Sequence, residues 1–232
     1  MSEVPVITVD GPSGTGKGTV CSHLANWLGW NFLDSGALYR ILAVAAEKHH
    51  LERNNGPVIA ELVKSLDVVF HRPLPGKDVT VIFEGGDISQ EIRTEECGNS
   101  ASQMAALPEV RSALLERQRE FRQQPGLIAD GRDMGTVVFV DAPLKIYLVA
   151  SAEERGKRRY KQLKQKGFGV NLPRLTADIA ERDARDSQRT ISPLKPADDA
   201  IVVDTTTLEI SEVIKRIENL VRKTLPDACR DG

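Results

Sequence analysis

An α/β fold is predicted, a parallel sheet of five strands wrapped by helices, and three observations predict it. Five short apolar runs, near residues 5–9, 30–33, 127–130, 145–149 and 200–204, are each followed by a stretch with helical periodicity. The first run empties into a glycine-rich turn and then directly into a helix. Between the second and third runs the alternation breaks. β-branched runs at Leu66–Phe70 and Val79–Phe83, and a short one around Ile88, are separated by Pro73–Asp78 and Glu84–Asp87. Turn signals this close indicate antiparallel hairpins, so a small antiparallel β unit is expected as an insert at about 63–101.

The first strand, Val4–Val9, leads through Asp10 into Gly11, Pro12, Ser13, Gly14, Thr15, Gly16, Lys17, Gly18 and Thr19. Strand, glycine loop and helix in that order make a P-loop of the NTPase type. Glycines let backbone N–H groups face phosphate oxygens, and the following helix adds its own orphan donors. Lys17 supplies a full charge for the β- and γ-phosphates of a bound ATP. The pattern departs from G-x-x-x-x-G-K-[ST] at one place, where Gly18 stands for the hydroxyl residue and Thr19 follows one later. Gly-Lys-Gly-Thr resembles the loop of nucleoside monophosphate kinases. A plain glycine turn with a surface lysine would not need the flanking strand and helix.

The first helix presents Val20, Leu24, Trp27 and Leu28 and stops at Gly29. The second strand runs into Asp34-Ser35-Gly36-Ala37-Leu38-Tyr39-Arg40, where Asp34 or Ser35 can cap a helix. Arg40 opposes that helix's dipole, which a nearby anion would rationalise. Val58, Ile59, Leu62, Val63 and Leu66 indicate a third helix, and Thr94 with Glu95 and Glu96 opens another. A helix from Pro108 to about Gln124 carries Val110, Leu114, Arg117 and Phe121 on one side. The third core strand ends at Asp130 and empties into Gly131–Thr136. After the fourth, Ser151-Ala152-Glu153-Glu154 is a capping-box pattern opening a basic helix that stops at Gly167. A charged helix covers about Thr176–Gln188. The closing helix carries Val213, Ile214, Ile217, Leu220 and Val221, and Pro226–Gly232 are expected to fray.

Composition narrows the function. The apolar fraction is 41%, the charged fraction 28% and the net charge −2, so no global basic field points to nucleic acid. The three cysteines are widely spaced, which argues against a disulfide framework or zinc site and for a reducing compartment. No apolar run is long enough to span a membrane, and no basic-then-apolar leader pattern is present. A cytoplasmic protein, binding neither membrane nor nucleic acid, is expected. Between Glu153 and Arg189, eleven lysines and arginines face six acids, a local excess suited to anions.

In parallel sheets of this kind ligands sit past the carboxyl ends of the strands. Those ends carry Gly11–Thr19, Asp34–Arg40 and Asp130–Asp133. Phosphoryl transfer needs several cations, preferably arginines, whose planar fork matches phosphate oxygens. Arg155, Arg158 and Arg159 share one helical face; Arg182, Arg185, Asp186 and Arg189 share another. Each could equally be part of a solvated face paired with Glu153, Glu154, Asp178, Glu181 and Asp183. Asp130 can be the acid that a P-loop protein places near Mg2+, or can simply cap its turn. None of the four histidines has a catalytic setting.

Four stretches together carry a resemblance: Gly11–Thr19, Asp34–Arg40, Ile128-Ala129-Asp130-Gly131-Arg132-Asp133-Met134-Gly135-Thr136 and Glu181-Arg182-Asp183-Ala184-Arg185-Asp186. The chain resembles the bacterial cytidylate kinases over essentially its whole length. The resemblance implies transfer of the ATP γ-phosphoryl group to CMP or dCMP with Mg2+. It also implies a core of 1–62, 102–151 and 187–232, an NMP-binding insert at 63–101 and a short helical lid at 152–186. Ser35, Arg111 and Asp133 would read the cytosine. Ser102, Arg182 and Asp186 would hold the sugar; Arg40, Arg132 and Arg189 would hold the acceptor phosphate, with Tyr39 beside them. Lys17, Arg132 and Arg182 are the expected catalytic residues, Arg155, Arg158 and Arg159 lid contacts to ATP, and Thr19 and Asp130 metal ligands, directly or through water. A monomer is expected. The rivals are a kinase for another nucleotide, such as UMP or AMP, and a nucleotide-sensing module without turnover. The number of acceptor-side arginines argues against the second.

Overall fold

The computed structural model describes residues 4–71, 80–165, 167 and 169–229. Five parallel strands form the central sheet: β1 (Val6–Asp10), β2 (Asn31–Asp34), β6 (Leu127–Gly131), β7 (Leu144–Val149) and β8 (Ile201–Asp204), in spatial order β2-β6-β1-β7-β8. The two central strands β1 and β6 are buried throughout, as strands covered on both faces must be. The register brings Asp34 opposite Asp130, and Asp10 opposite Gly131 and Tyr147. Three neighbouring strands therefore each carry an aspartate at or near their carboxyl ends, along one edge of the sheet.

Alternation along the strands builds two cores. Val6, Leu33, Leu127 and Ala129 face the layer that holds α2 (Ser35–Lys48), α3 (Gly56–Lys64), α4 (Glu95–Met104) and α5 (Pro108–Arg119). Ile7, Val9, Ile128, Ile146, Leu148 and Val203 face α1 (Lys17–Leu28) and α8 (Ile210–Thr224). The chain starts and stops its helices with local chemistry. Asp34 caps α2 by accepting from Ala37 N–H, Thr94 caps α4 by accepting from Cys97 N–H, and Gly29 ends α1 in the left-handed conformation.

The insert is a second sheet of β3 (Val68–His71), β4 (Thr80–Phe83) and β5 (Gly86–Asp87), antiparallel in the order β3-β4-β5. The hairpin turn read at Pro73–Asp78, with Val79, lies outside the described residues. The basic helix α6 (Ala152–Gln165) and α7 (Leu172–Ser187) share a small apolar cluster of Leu163, Leu175 and Ile179, so this pair has its own core.

Several boundaries differ from the sequence reading. The short strand read around Ile88 lies instead at Gly86–Asp87, inside the turn read at Glu84–Asp87. The α5 helix ends at Arg119 rather than Gln124, and its buried stripe is Val110, Leu114 and Gln118. The α7 helix starts a turn early because Asn171 caps it with Pro173 in its first turn. Only half of the capping box at Ser151 forms. Its Oγ accepts from Glu154 N–H at 3.1 Å, but the Glu154 carboxylate turns to Arg158. Pro226–Cys229 make a 3-10 turn, and the remainder of the stretch expected to fray, residues 230–232, lies outside the described residues. A π-helical turn at Met134–Val138 has no counterpart in the sequence reading.

Candidate active site

The loop after β1 is shaped by what its glycines omit. Gly11 has φ +141°, and a Cβ there would lie 2.1 Å from the Leu148 carbonyl oxygen. Gly16, φ 96°, occupies the N-cap of α1 with no side-chain cap, leaving the helix's first N–H groups for a ligand. Lys17 is buried and folds back, its Nζ donating to the Pro12 carbonyl at 2.8 Å. Burial lowers the Lys17 pKa below its ordinary value and raises that of the neighbouring Asp130 to about 7, while each charge opposes the other's shift. Gly18 and Thr19 are exposed on the first turn of α1.

A cleft of about 200 Å3 opens beside this loop, lined among others by Lys17, Asp34, Arg40, Asp130, Arg132 and Arg182. Arg93 of the insert also lines it, and nothing in the sequence marked that residue. Arg40 donates to the Ile92 carbonyl at 2.8 Å, which ties α2 to the insert. The helix α4 can bring its backbone against the arginines because Gly98 has no side chain. A Cβ there would sit 3.3 Å from Arg182 Nη1 and 3.4 Å from Arg40 Nη2. Burial, then repulsion from Arg132 and Arg40, lowers the Arg182 pKa to about 9.

A smaller recess of about 30 Å3 adjoins the cleft, sharing Gly36, Gly131, Arg132 and Arg182 with it. Ser35, Tyr39, Ser102, Asp186 and Arg189 line its far end. Asp186, 2% exposed, is its centre: its carboxylate accepts from Ser102 Oγ at 3.1 Å and pairs with Arg132 Nε. Burial works against that carboxylate, but Arg132, Arg189 and Arg182 outweigh it and hold its pKa below the usual value. Arg132 shifts the complementary way, held above its ordinary value by Asp186 in spite of burial. Beside the recess Arg111 Nη2 pairs with Asp133 Oδ2. Tyr39 hydrogen-bonds Gln118, and burial pushes its pKa up to about 12.

The three arginines of α6 part company. Arg155, 4% exposed, donates to the Ser13 carbonyl at 3.1 Å, pairs with Asp183 of α7 and so grips the P-loop. Arg158 is occupied behind the loop, donating to Thr205 Oγ1 at 3.1 Å and to the Thr205 carbonyl at 2.6 Å. Arg159 reaches the other way, to Glu95 at 2.7 Å and to the Arg93 carbonyl at 3.1 Å, joining α6 to the insert. Sequence spacing shows that the three share a face and cannot show that this face meets three different neighbours.

Among the described residues no three His, Cys, Asp or Glu side chains gather as a metal cluster. Asp130 is the carboxylate at the mouth of the loop, and a Cβ on Gly18 would be 3.8 Å from its Oδ2. One carboxylate beside a phosphate site suits Mg2+, which keeps several waters and takes its remaining oxygens from substrate phosphates.

A family model described as cytidylate kinase matches residues 7–223. The chain is 60% identical over 217 residues to the cytidylate kinase of Stutzerimonas stutzeri (strain A1501), covering 94% of this chain and 95% of that one. It is 58% identical over 215 residues to the cytidylate kinase of Nitrosococcus oceani, covering 93% and 95%. Among solved structures it is similar to a gluconokinase from Sinorhizobium meliloti 1021, with a TM-score of 0.46, 13% identity and 100% of both chains covered.

Proposed function

This chain belongs to the cytidylate kinase family, and we propose that it transfers the γ-phosphoryl group of ATP to both CMP and dCMP, with Mg2+, giving CDP and dCDP. Family membership makes it an enzyme that phosphorylates CMP. The observation that carries the finer reading is a pair of adjoining hollows, one lined by Lys17 and the other by Asp186, with Arg132 and Arg182 lining both.

Phosphoryl transfer asks a protein mainly for positioning and charge neutralisation. Gly11–Thr19 hold the ATP phosphates, with Lys17 reaching the β- and γ-oxygens. Arg40, Arg132 and Arg189 hold the acceptor phosphate, and Arg132 and Arg182 offset charge that spreads over the γ-phosphoryl oxygens as it moves. Ser102 and Asp186 take the sugar. Ser35, Arg111 and Asp133 read the base: a carboxylate accepts from the cytosine amine and finds only a carbonyl on uracil. Mg2+, when bound, supplies charge neutralisation across the phosphates, and Asp130 would hold it, directly or through water. Thr19, exposed on α1, would take part through water.

The division into a core of 1–62, 102–151 and 187–232, an NMP-binding insert at 63–101 and a lid at 152–186 is part of the same proposal. The separate apolar cluster of α6 and α7 supports a lid that moves as one piece. Closure over the nucleotides keeps water from competing as acceptor. A monomer working in the cytoplasm in pyrimidine nucleotide metabolism fits three unpaired cysteines. No helix among the described residues is long and apolar enough to cross a membrane. A coupled assay of ADP release with CMP, dCMP, UMP and AMP tests the whole reading. CMP and dCMP should support turnover well above UMP and AMP, and equal rates with all four would overturn it.

A further inference from the structure

Asp10 closes β1, is 5% exposed, and precedes the first glycine of the P-loop. Its two carboxylate oxygens accept from Met134 N–H at 2.9 Å and from Gly135 N–H at 2.8 Å. Those two N–H groups open the π-helical turn at Met134–Val138. The residue in the N-cap position of that turn is Asp133, with φ −144° and ψ 21°, and it makes no side-chain cap bond. An aspartate at an N-cap ordinarily satisfies the first N–H groups itself. Here the Asp133 carboxylate is turned to Arg111 instead, and the capping is done from the end of β1 by a residue 124 positions before Met134.

We infer that Asp10 is a positioning residue for base selection: by capping the Met134–Val138 turn from β1, it releases Asp133 to face the pyrimidine. The inference rests on Asp133 reading the base. Two donors need two acceptor lone-pair sites, which a carboxylate offers and a carboxamide offers only on one side. Without Asp10, the two buried N–H groups are unsatisfied, and the nearest acid able to serve them is Asp133. Recruited as a local cap, Asp133 leaves Arg111 and the base. The same residue ties the start of the donor loop to the segment that selects the acceptor, so the two half-sites keep a fixed separation.

The test is steady-state kinetics of full-length Asp10→Ala, Asp10→Asn, Asp133→Ala and the double variant Asp10→Asn/Asp133→Ala, with CMP and UMP at saturating ATP. For Asp10→Ala we expect the CMP KM to rise about tenfold with kcat changed less, the CMP-over-UMP preference to narrow by a similar factor, and the ATP KM to stay within about threefold. Asp10→Asn keeps the volume and one acceptor, shows the same direction at smaller size, and carries the test should the alanine variant not fold. In the Asp133→Ala background, Asp10→Asn should narrow the preference no further. If Asp133→Ala narrows the preference and Asp10→Asn does not, the positioning role falls and the base-reading assignment stands. If Asp10→Asn narrows it while Asp133→Ala does not, or the two effects add, Asp10 does not act through Asp133 and the inference is overturned. Parallel losses with CMP and UMP at an unchanged ratio would mark a merely structural role.

Discussion

The donor and acceptor halves of the proposed site are built in opposite ways. The donor half is one continuous run, Gly11–Thr19, held by backbone geometry and by the sheet under it. The acceptor half, as proposed, would draw Ser35, Tyr39 and Arg40 from α2, Ser102 from α4, Arg111 from α5, Arg132 and Asp133 from the turn after β6, and Arg182, Asp186 and Arg189 from α7 and the residues just after it. The first half is made mostly of missing side chains, the second of ion pairs such as Arg132–Asp186 and Arg111–Asp133. A loop of N–H groups grips any phosphate. Choosing one nucleotide takes charged side chains held at fixed angles, and these must come from several directions at once.

That contrast can be broken at several strengths. The largest effect is expected for Lys17→Ala, with kcat down by roughly 100- to 1,000-fold at saturating CMP and ATP; turnover within about threefold of the parent would remove Lys17 from the phosphate site. Asp133→Ala strikes the acceptor half alone. Its kcat/KM for CMP should fall about 100-fold, mainly through KM, with UMP kinetics nearly unchanged. Equal changes for both substrates would strip Asp133 of its base-reading role. Arg155→Met loosens the donor half from the lid, and a rise of about tenfold in the ATP KM with CMP KM within about twofold is expected. Equal rises in both would show that Arg155 serves both halves.

Stability against pH sharpens the comparison further. Burial raises the Asp10 pKa from 3.8 to about 7, with the Gly135 and Met134 N–H bonds opposing. Between these two values the folded chain holds a proton there that the unfolded chain releases, so this contribution is full below pH 3.8 and is lost as pH climbs toward 7, above which Asp10 is the carboxylate that accepts from both N–H groups. Asp186, held below 3.8 by its arginines, has the opposite sign: its contribution is present above that pH and is lost in more acid solution. Urea denaturation between pH 3 and 8 should show Asp10→Asn flattening the slope above about pH 4 and Asp186→Asn flattening the slope below it, each by on the order of 1 kcal/mol per pH unit. Smallest is Glu95→Gln, which removes the charge from a half-exposed pair with Arg159; kcat/KM should stay within about threefold.

The fold was readable because its signals are local. Strand, glycine loop and helix follow one another at the start of the chain, and each core strand is one apolar run. Thr94, Asp34 and Gly29 announce helix ends through their own chemistry. The early start of α7 was also written in the chain, as Asn171 followed by Pro173, but the capping signal was outweighed by the charged pattern further on. The π-helical turn was not readable, since no side-chain period distinguishes five residues of it. The interleaved contacts were unreadable for a different reason. Asp10 looks like any strand-end acid until the register sets it beside the Met134–Gly135 backbone, and Arg93 looks like a surface arginine until the insert folds it over the cleft. Arg155, Arg158 and Arg159 have the same spacing whether they meet ATP, Thr205 or Glu95.

Among the described residues, Arg132 Nη2, Arg182 Nε and Arg189 Nη2 are buried without a hydrogen-bond partner, and Arg182 lies close enough to Arg40 and Arg132 for their charges to lower its pKa. Such a cluster is a lattice of cations short of counter-ions, and any tetrahedral dianion of phosphate size can complete it. On the proposed function, sulfate and inorganic phosphate would compete for the acceptor position, and the apparent affinity for a nucleotide would become a property of the buffer as well as of the enzyme.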